Sequence, residues 1–141
     1  MTIERLIEGR GDIVTCDVST TVREAASILA QRRIGALPVM EHGEIAGIFS
    51  ERDVIYRLHE MGPDFLAMPV GHVMTSPAVT VEPGSSVMAA LSLMTRRRIR
   101  HLPVVERGRM VGFVSIGDLV KYRIDKIESE AAAMRDYIQT A

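Results

Sequence analysis

Ser50, Glu51, Arg52 and Asp53 form one of two Ser-x-x-Asp tetrads in this chain. The other, Ser115, Ile116, Gly117 and Asp118, lies sixty-five residues later. A serine placed three residues before an acid caps a helix start, and the acid suits the helix dipole. The same helix start also suits a ligand: free amides and a serine hydroxyl hold phosphate oxygens. A carboxylate there accepts two ribose hydroxyls at once, as the acid of dinucleotide folds does. A basic cluster, Arg96, Arg97, Arg98, Arg100 and His101, supplies complementary charge. Arg96 and Arg97 read as the solvated end of a helix, where cations complement the dipole. Arg100 and His101 open the next strand and read as groups that neutralise phosphate. Arg52 adds a third cation, and its match Gly117 adds none.

Catalytic chemistry finds little to work with. His42, His59, His72 and His101 have no metal-ligand spacing. Cys16 is the single cysteine and has no neighbouring histidine, so it reads as a buried small hydrophobe rather than a nucleophile. Neither a Walker A sequence nor a GxGxxG is present. A net charge of -1 provides no field for nucleic acid or an anionic membrane, and three Phe, three Tyr and no Trp make a poor base-stacking platform. The nine methionines fall on helical stripes and read as core filler. With no signal-like start and no long apolar run, the expected location is the reducing cytoplasm.

The elements that position these residues come in two copies. Residues 14–53 and 79–118 align without a gap and share sixteen identities over forty positions. Such a repeat fixes architecture before any other argument. Each copy begins with an extended piece, then a turn rich in small hydroxyls, then a helix. Thr21 serves as the first N-cap, with Glu24 placed to complete a capping box. Ser86 caps the second helix, where Ala89 replaces that acid and weakens the cap. Val22, Ala25, Ala26 and Leu29 form one helical stripe, and Val87, Ala90, Leu91 and Met94 form its partner. Two short strands follow, turning at His42 and Gly43 or at Arg107 and Gly108. Pro38 and Pro103 place those strands at an edge or at its start. A last helix begins at each Ser-x-x-Asp tetrad. The predicted class is therefore α+β, with an α/β-type β-α-β-β-α unit. Two such units bury their sheet faces against each other with pseudo-twofold symmetry. Gly62 and Pro63 stop the second helix of the first copy, and one helical turn is expected in the connector before the second. The predicted organisation is a helical segment at 1–9, repeats at 10–60 and 76–124, a connector at 61–75 and a terminal helix at 125–141. Leu119, Tyr122, Ile127, Ala131, Met134 and Ile138 give that terminal helix an apolar stripe, which suggests packing on a partner subunit.

With "RIGALPV" and "GIFSERD" in one copy and "RIRHLPV" and "GFVSIGD" in the other, the unit resembles the cystathionine beta-synthase (CBS) domain. The tandem resembles a Bateman module of the small stand-alone bacterial type. The resemblance spans about residues 10–125. It implies a non-catalytic regulatory module that binds AMP, ADP, ATP, NAD or S-adenosylmethionine between the repeats, requires no cofactor and dimerises with itself. On this chain the regulated effector would be a separate protein. Carried onto this sequence, the family motif places Ser50, Arg52, Arg100, His101 and Ser115 at phosphate. It places Asp53 and Asp118 at ribose. Ile34, Pro38, Ile99 and Pro103 fall where the family stacks apolar groups on adenine, and Thr15 and Thr80 where the backbone reads the adenine edge. Arg100 and His101 are matched in the first copy by Gly35 and Ala36, so one copy offers charge and the other offers room for a base or a second phosphate group. The alternative is a dimeric interaction scaffold whose clefts no longer bind.

Overall fold

The computed structural model describes residues 1–140. The first repeat contains β1 (Cys16–Asp17), α2 (Val22–Arg32), β2 (Ala36–Glu41), β3 (Glu44–Ser50) and α3 (Glu51–Met61), preceded by α1 (Ile3–Ile7). The second contains α4 (Val87–Arg97), β4 (His101–Glu106), β5 (Arg109–Ser115) and α5 (Ile116–Thr140). Each hairpin turns on a pair of positive-φ residues, His42 and Gly43 in one and Arg107 and Gly108 in the other. This is the twist that a two-residue antiparallel connection needs.

The first strand differs between copies. In the first, β1 pairs parallel with β2, and the Val18 amide extends the pairing to the Met40 carbonyl at 3.0 Å. Pro83 stands at the matching place in the second copy and has no amide to donate. The expected strand there shrinks to one bridge, Val81 with Val104. The edge position expected for Pro38 is also corrected, since β2 is the middle strand of its sheet. The proline is tolerated because β1 begins pairing at Val39, one residue past it.

Two apolar cores form, one per repeat, and each borrows from outside its own repeat. Phe65, Val70 and Val73 of the connector complete the first core, and Ile3, with Leu6 and Ile7 beside it, completes the second. The leader of each repeat therefore packs on the other repeat. Ile3 donates to Ser85 and Glu4 to Pro83, both at 2.9 Å, tying α1 to the second repeat. Val70 donates to Thr20 at 2.7 Å, and Thr75 exchanges two hydrogen bonds with Ile48. The connector's expected helical turn is present at Val70–His72. The helical segment expected at 1–9 thus supplies Ile3 to the second core, and the connector expected at 61–75 supplies Phe65, Val70 and Val73 to the first.

Cys16 sits in the first core, 8% exposed. Burial, with a smaller push from the Asp17 charge, raises its thiol to about 11. Only about one molecule in a thousand carries the thiolate at pH 8. Iodoacetamide at that pH is expected to leave the native chain unlabelled and to label it fully in guanidinium, as read by intact mass.

Candidate ligand-binding clefts

The hydrogen bonds at the two tetrads place them at equivalent helix starts. Ser50 caps α3: its hydroxyl accepts from the Asp53 amide at 3.3 Å, and its amide donates to Asp53 Oδ2 at 2.9 Å. Ser115 and Asp118 repeat this at 3.2 and 2.8 Å. The capping reading thus holds for both tetrads. It also consumes donors that the phosphate reading expected to be free. Ser50 and Asp53 amides serve the box, and the Glu51 amide donates to the Gly35 carbonyl at 3.0 Å. Ile116 likewise donates to the Arg100 carbonyl at 2.8 Å. These last two bonds join each helix start to the strand entry of its own repeat.

Two clefts open beside these helix starts, and the lining of each combines both repeats. The Asp53 cleft, about 310 Å³, takes Ser50, Arg52 and Asp53 from the first repeat and Val79, Ile99, Arg100 and His101 from the second. The Asp118 cleft, about 520 Å³, takes Ser115 and Asp118 from the second repeat and Val14, Ile34 and Ala36 from the first. Both volumes suit a small ligand. Which carboxylate faces which apolar pocket was open in the sequence; the structure pairs each acid with the opposite repeat. Of the expected site residues, Thr80, Pro38 and Pro103 lie outside both cleft linings. Thr15 borders a shallow groove beside Ile28 and Arg32 instead. Val14 and Val79, one position earlier than the threonines, line the clefts.

The clefts differ in charge. The Asp53 cleft holds Arg52, Arg97, Arg98 and Arg100 against Glu51 and Asp53. Arg97, expected at a solvated helix end, is thus a cleft residue. Arg52 crosses to the Arg98 carbonyl at 3.5 Å. The Asp118 cleft balances Arg10 and Arg33 against Asp12 and Asp118. Arg10, which sequence reasoning passed over, grips Asp118 with both nitrogens, at 3.2 Å to Oδ1 and 3.3 Å to Oδ2. Its counterpart in the repeat alignment is Thr75, whose hydroxyl donates to Asp53 Oδ1 at 3.1 Å. A neutral hydroxyl yields that oxygen to a ligand more readily than a charged fork does. Burial pushes the Asp118 carboxyl up, but the Ser115 amide and the Arg10 guanidinium outweigh it, and the group titrates below the ordinary 3.8.

His101 stands between the clefts and borders both. Its ring stacks on Phe113, with centroids 5.5 Å apart and planes 14° from parallel. The room expected at Gly35 is shared: an added Cβ would stand 3.4 Å from Glu51 Oε1 and 3.5 Å from His101 Cε1. Burial lowers the His101 pKa from 6.5, against the pull of Asp118 and Glu51 and with a smaller push from Arg100. At neutral pH His101 therefore presents an uncharged ring, not the expected cation. The unfolded chain takes up this proton first, so stability falls as pH drops below 6.5 and stops falling from this source below the folded value. The Asp118 contribution is lost separately, as pH falls below 3.8. His101→Gln should flatten the melting-temperature decline that sets in as pH falls below 6.5, measured against the native chain.

Among the described residues no three His, Cys, Asp or Glu side chains converge as a metal group, and no helix is long and apolar enough to cross a membrane.

The CBS domain model matches residues 9–60 and 70–125, and the chain belongs to that family. It is 37% identical over 134 residues to the mitochondrial CBS domain-containing protein CBSX3 of Arabidopsis thaliana, covering 92% of this chain and 65% of that one. To the CBS domain-containing protein YhcV of Bacillus subtilis it is 35% identical over 120 residues, covering 85% and 83%. Among solved structures, the CBS-domain protein ATU1752 of Agrobacterium tumefaciens superposes with a TM-score of 0.82 at 36% identity, over 86% of this chain and 92% of that one. These establish a small tandem CBS pair of mixed α and β structure. Two more distant pairs share the fold at 23% and 24% identity, CBSX2 in complex with AMP and MJ0100 in complex with 5′-methylthioadenosine and S-adenosyl-L-methionine.

Proposed function

We propose that this chain is a cytoplasmic, non-catalytic and homodimeric regulatory module. It binds an adenine nucleotide or dinucleotide across its repeats and passes occupancy to a separate protein. The observation that carries this reading is the composition of the Asp53 cleft. A carboxylate at a helix start faces an apolar wall, Val79 and Ile99, with four arginines around the opening. That arrangement offers a diol acceptor, a base-sized apolar surface and phosphate charge within one cavity. The adenosine compounds held by CBSX2 and MJ0100 support the same ligand class. Asp53 accepts the ribose diol, and Arg52 and Arg100 take phosphate. His101 adds a neutral hydrogen-bond donor.

The Asp53 cleft is the tighter site. In the Asp118 cleft a ribose must first displace Arg10 from both carboxylate oxygens. A half-exposed ion pair of this kind is worth up to about 1 kcal/mol. Arg10→Ala should therefore strengthen a second, weaker binding event about threefold to fivefold in a calorimetric titration. It should leave the first event unchanged.

Thermal unfolding with AMP, ADP, ATP, NAD and S-adenosylmethionine, and GTP as control, tests the ligand class. A ligand at a hundredfold its dissociation constant adds about 2.7 kcal/mol, a shift of several degrees for a chain of this size. No shift with any adenine compound in folded protein would leave the interaction-scaffold reading in its place.

A further inference from the structure

The apolar stripe expected along the terminal helix resolves into two faces. Leu119 is fully buried and Tyr122 packs beside it on the second core. A different row continues outward. Val120, Ile124, Ile127, Ala131, Met134 and Ile138 follow one another at spacings of four, three, four, three and four. This is the strict 3.5-residue period of a coiled-coil seam rather than the broader stripe of a core helix. Val120, Ile124, Ile127, Met134 and Ile138 are 43–66% exposed. Behind the seam the helix turns polar past Tyr122, with Asp125, Lys126, Ser129 and Asp136.

The charges beside the seam select an occupant. Placing Val120, Ile127 and Met134 at d puts Arg123, Glu130 and Tyr137 at g, and Lys121, Glu128 and Arg135 at e. In a parallel pair of identical helices, each g residue faces the e residue five positions on in the partner. Arg123 then meets a glutamate and Glu130 meets an arginine. Fully overlapped antiparallel helices would set e against e and g against g. Glu128 would face its own copy, Glu130 its own copy, and Lys121 would face Arg135. Arg123 would face the uncharged Tyr137, and every pair of charges would be alike. The segment is therefore complementary to itself in one direction only.

We propose that residues 120–138 zip in parallel with the same residues of a second copy. This holds two CBS pairs side by side with their α5 helices leaving in the same direction. The inference concerns how two copies are oriented and does not depend on nucleotide binding. Helix of this length is marginal alone, and the folded repeats at its base supply its nucleus.

Met134→Cys in the full chain tests the arrangement. Met134 is 61% exposed, so the change leaves the repeats intact, which circular dichroism checks. In a parallel seam the two new thiols oppose each other within disulfide reach. Mild oxidation should carry most of the protein to twice the chain mass on a non-reducing gel. The native chain, whose only thiol is buried, should stay at single mass. Adding Glu130→Arg sets like charges face to face and should slow crosslinking severalfold. Adding Arg135→Glu as well restores opposite charges and should recover the rate. Met134→Cys remaining at single mass would overturn the proposal. So would a charge-swapped chain that crosslinks no faster than the Glu130→Arg chain.

Discussion

Asp53→Asn should weaken adenine nucleotide binding by about tenfold to a hundredfold while leaving the free protein nearly as stable as before. The two effects separate because Asp53 does two jobs with different requirements. As a cap it only accepts the Ser50 amide, at 2.9 Å, and an asparagine carbonyl accepts that bond too. As a diol acceptor it needs both oxygens. The amide nitrogen of asparagine cannot accept, and the charge is gone. Hydrogen bonds to a charged group contribute about 1.5–3 kcal/mol, which sets the expected range of affinity. Asp53→Ala removes the side-chain half of the capping box as well and should lower the melting temperature by a few degrees, in line with about 1 kcal/mol for the bond lost from the Ser50 amide. Equal nucleotide affinity in Asp53→Asn and the native chain would remove Asp53 from the site.

Gly47→Ala should cost about 2–3 kcal/mol and lower the melting temperature by about 10 °C. A Cβ there would stand 2.6 Å from the Thr75 carbonyl oxygen and 2.8 Å from Met74 Sδ. The sulfur can move, but the carbonyl cannot without losing the hydrogen bond it accepts from the Ile48 amide at 2.9 Å. Thr75 is also the residue whose hydroxyl rests on Asp53. The substitution should therefore loosen the Asp53 cleft along with the fold. Gly112→Ala, at the matching position, provides an internal comparison. Its Cβ would meet Ile7 Cγ2 at 2.7 Å, a side-chain atom at the end of a short helix. Ile7 can turn aside, so this change should cost less than half as much. Paired chemical denaturation curves, compared at equal slope, measure both. Equal losses would show that the two leaders are held with equal rigidity.

The repeat carried most of the fold into view, because a glycine at 47 and 112, a turn at 43 and 108, and a cap at 50 and 115 keep their register without a gap. What it hid was the exchange of leaders. Residues 2–7 and their matches 67–72 share no identity, so the alignment could not show that each docks on the opposite repeat. Arg10 was missed for the same reason. Its role follows from where the leader crosses β5, and nothing in its neighbours Gly9 and Gly11 signals a carboxylate partner more than a hundred residues away. The tetrads were legible as caps and as candidate carboxylates, since both roles are local. The charge state of His101 was not, because it depends on burial against Phe113 and on distant acids. The terminal stripe mixed two faces because Leu119 and Tyr122 fit a helical period as well as the seam does; only the packing separates them.

Calorimetric titration of the native chain with AMP, beside Asp53→Asn and Asp118→Asn, tests the central claim most directly. The account predicts one tight event per chain, lost in Asp53→Asn and kept in Asp118→Asn, with any second event weaker. Tight binding that survives Asp53→Asn but disappears in Asp118→Asn would contradict it.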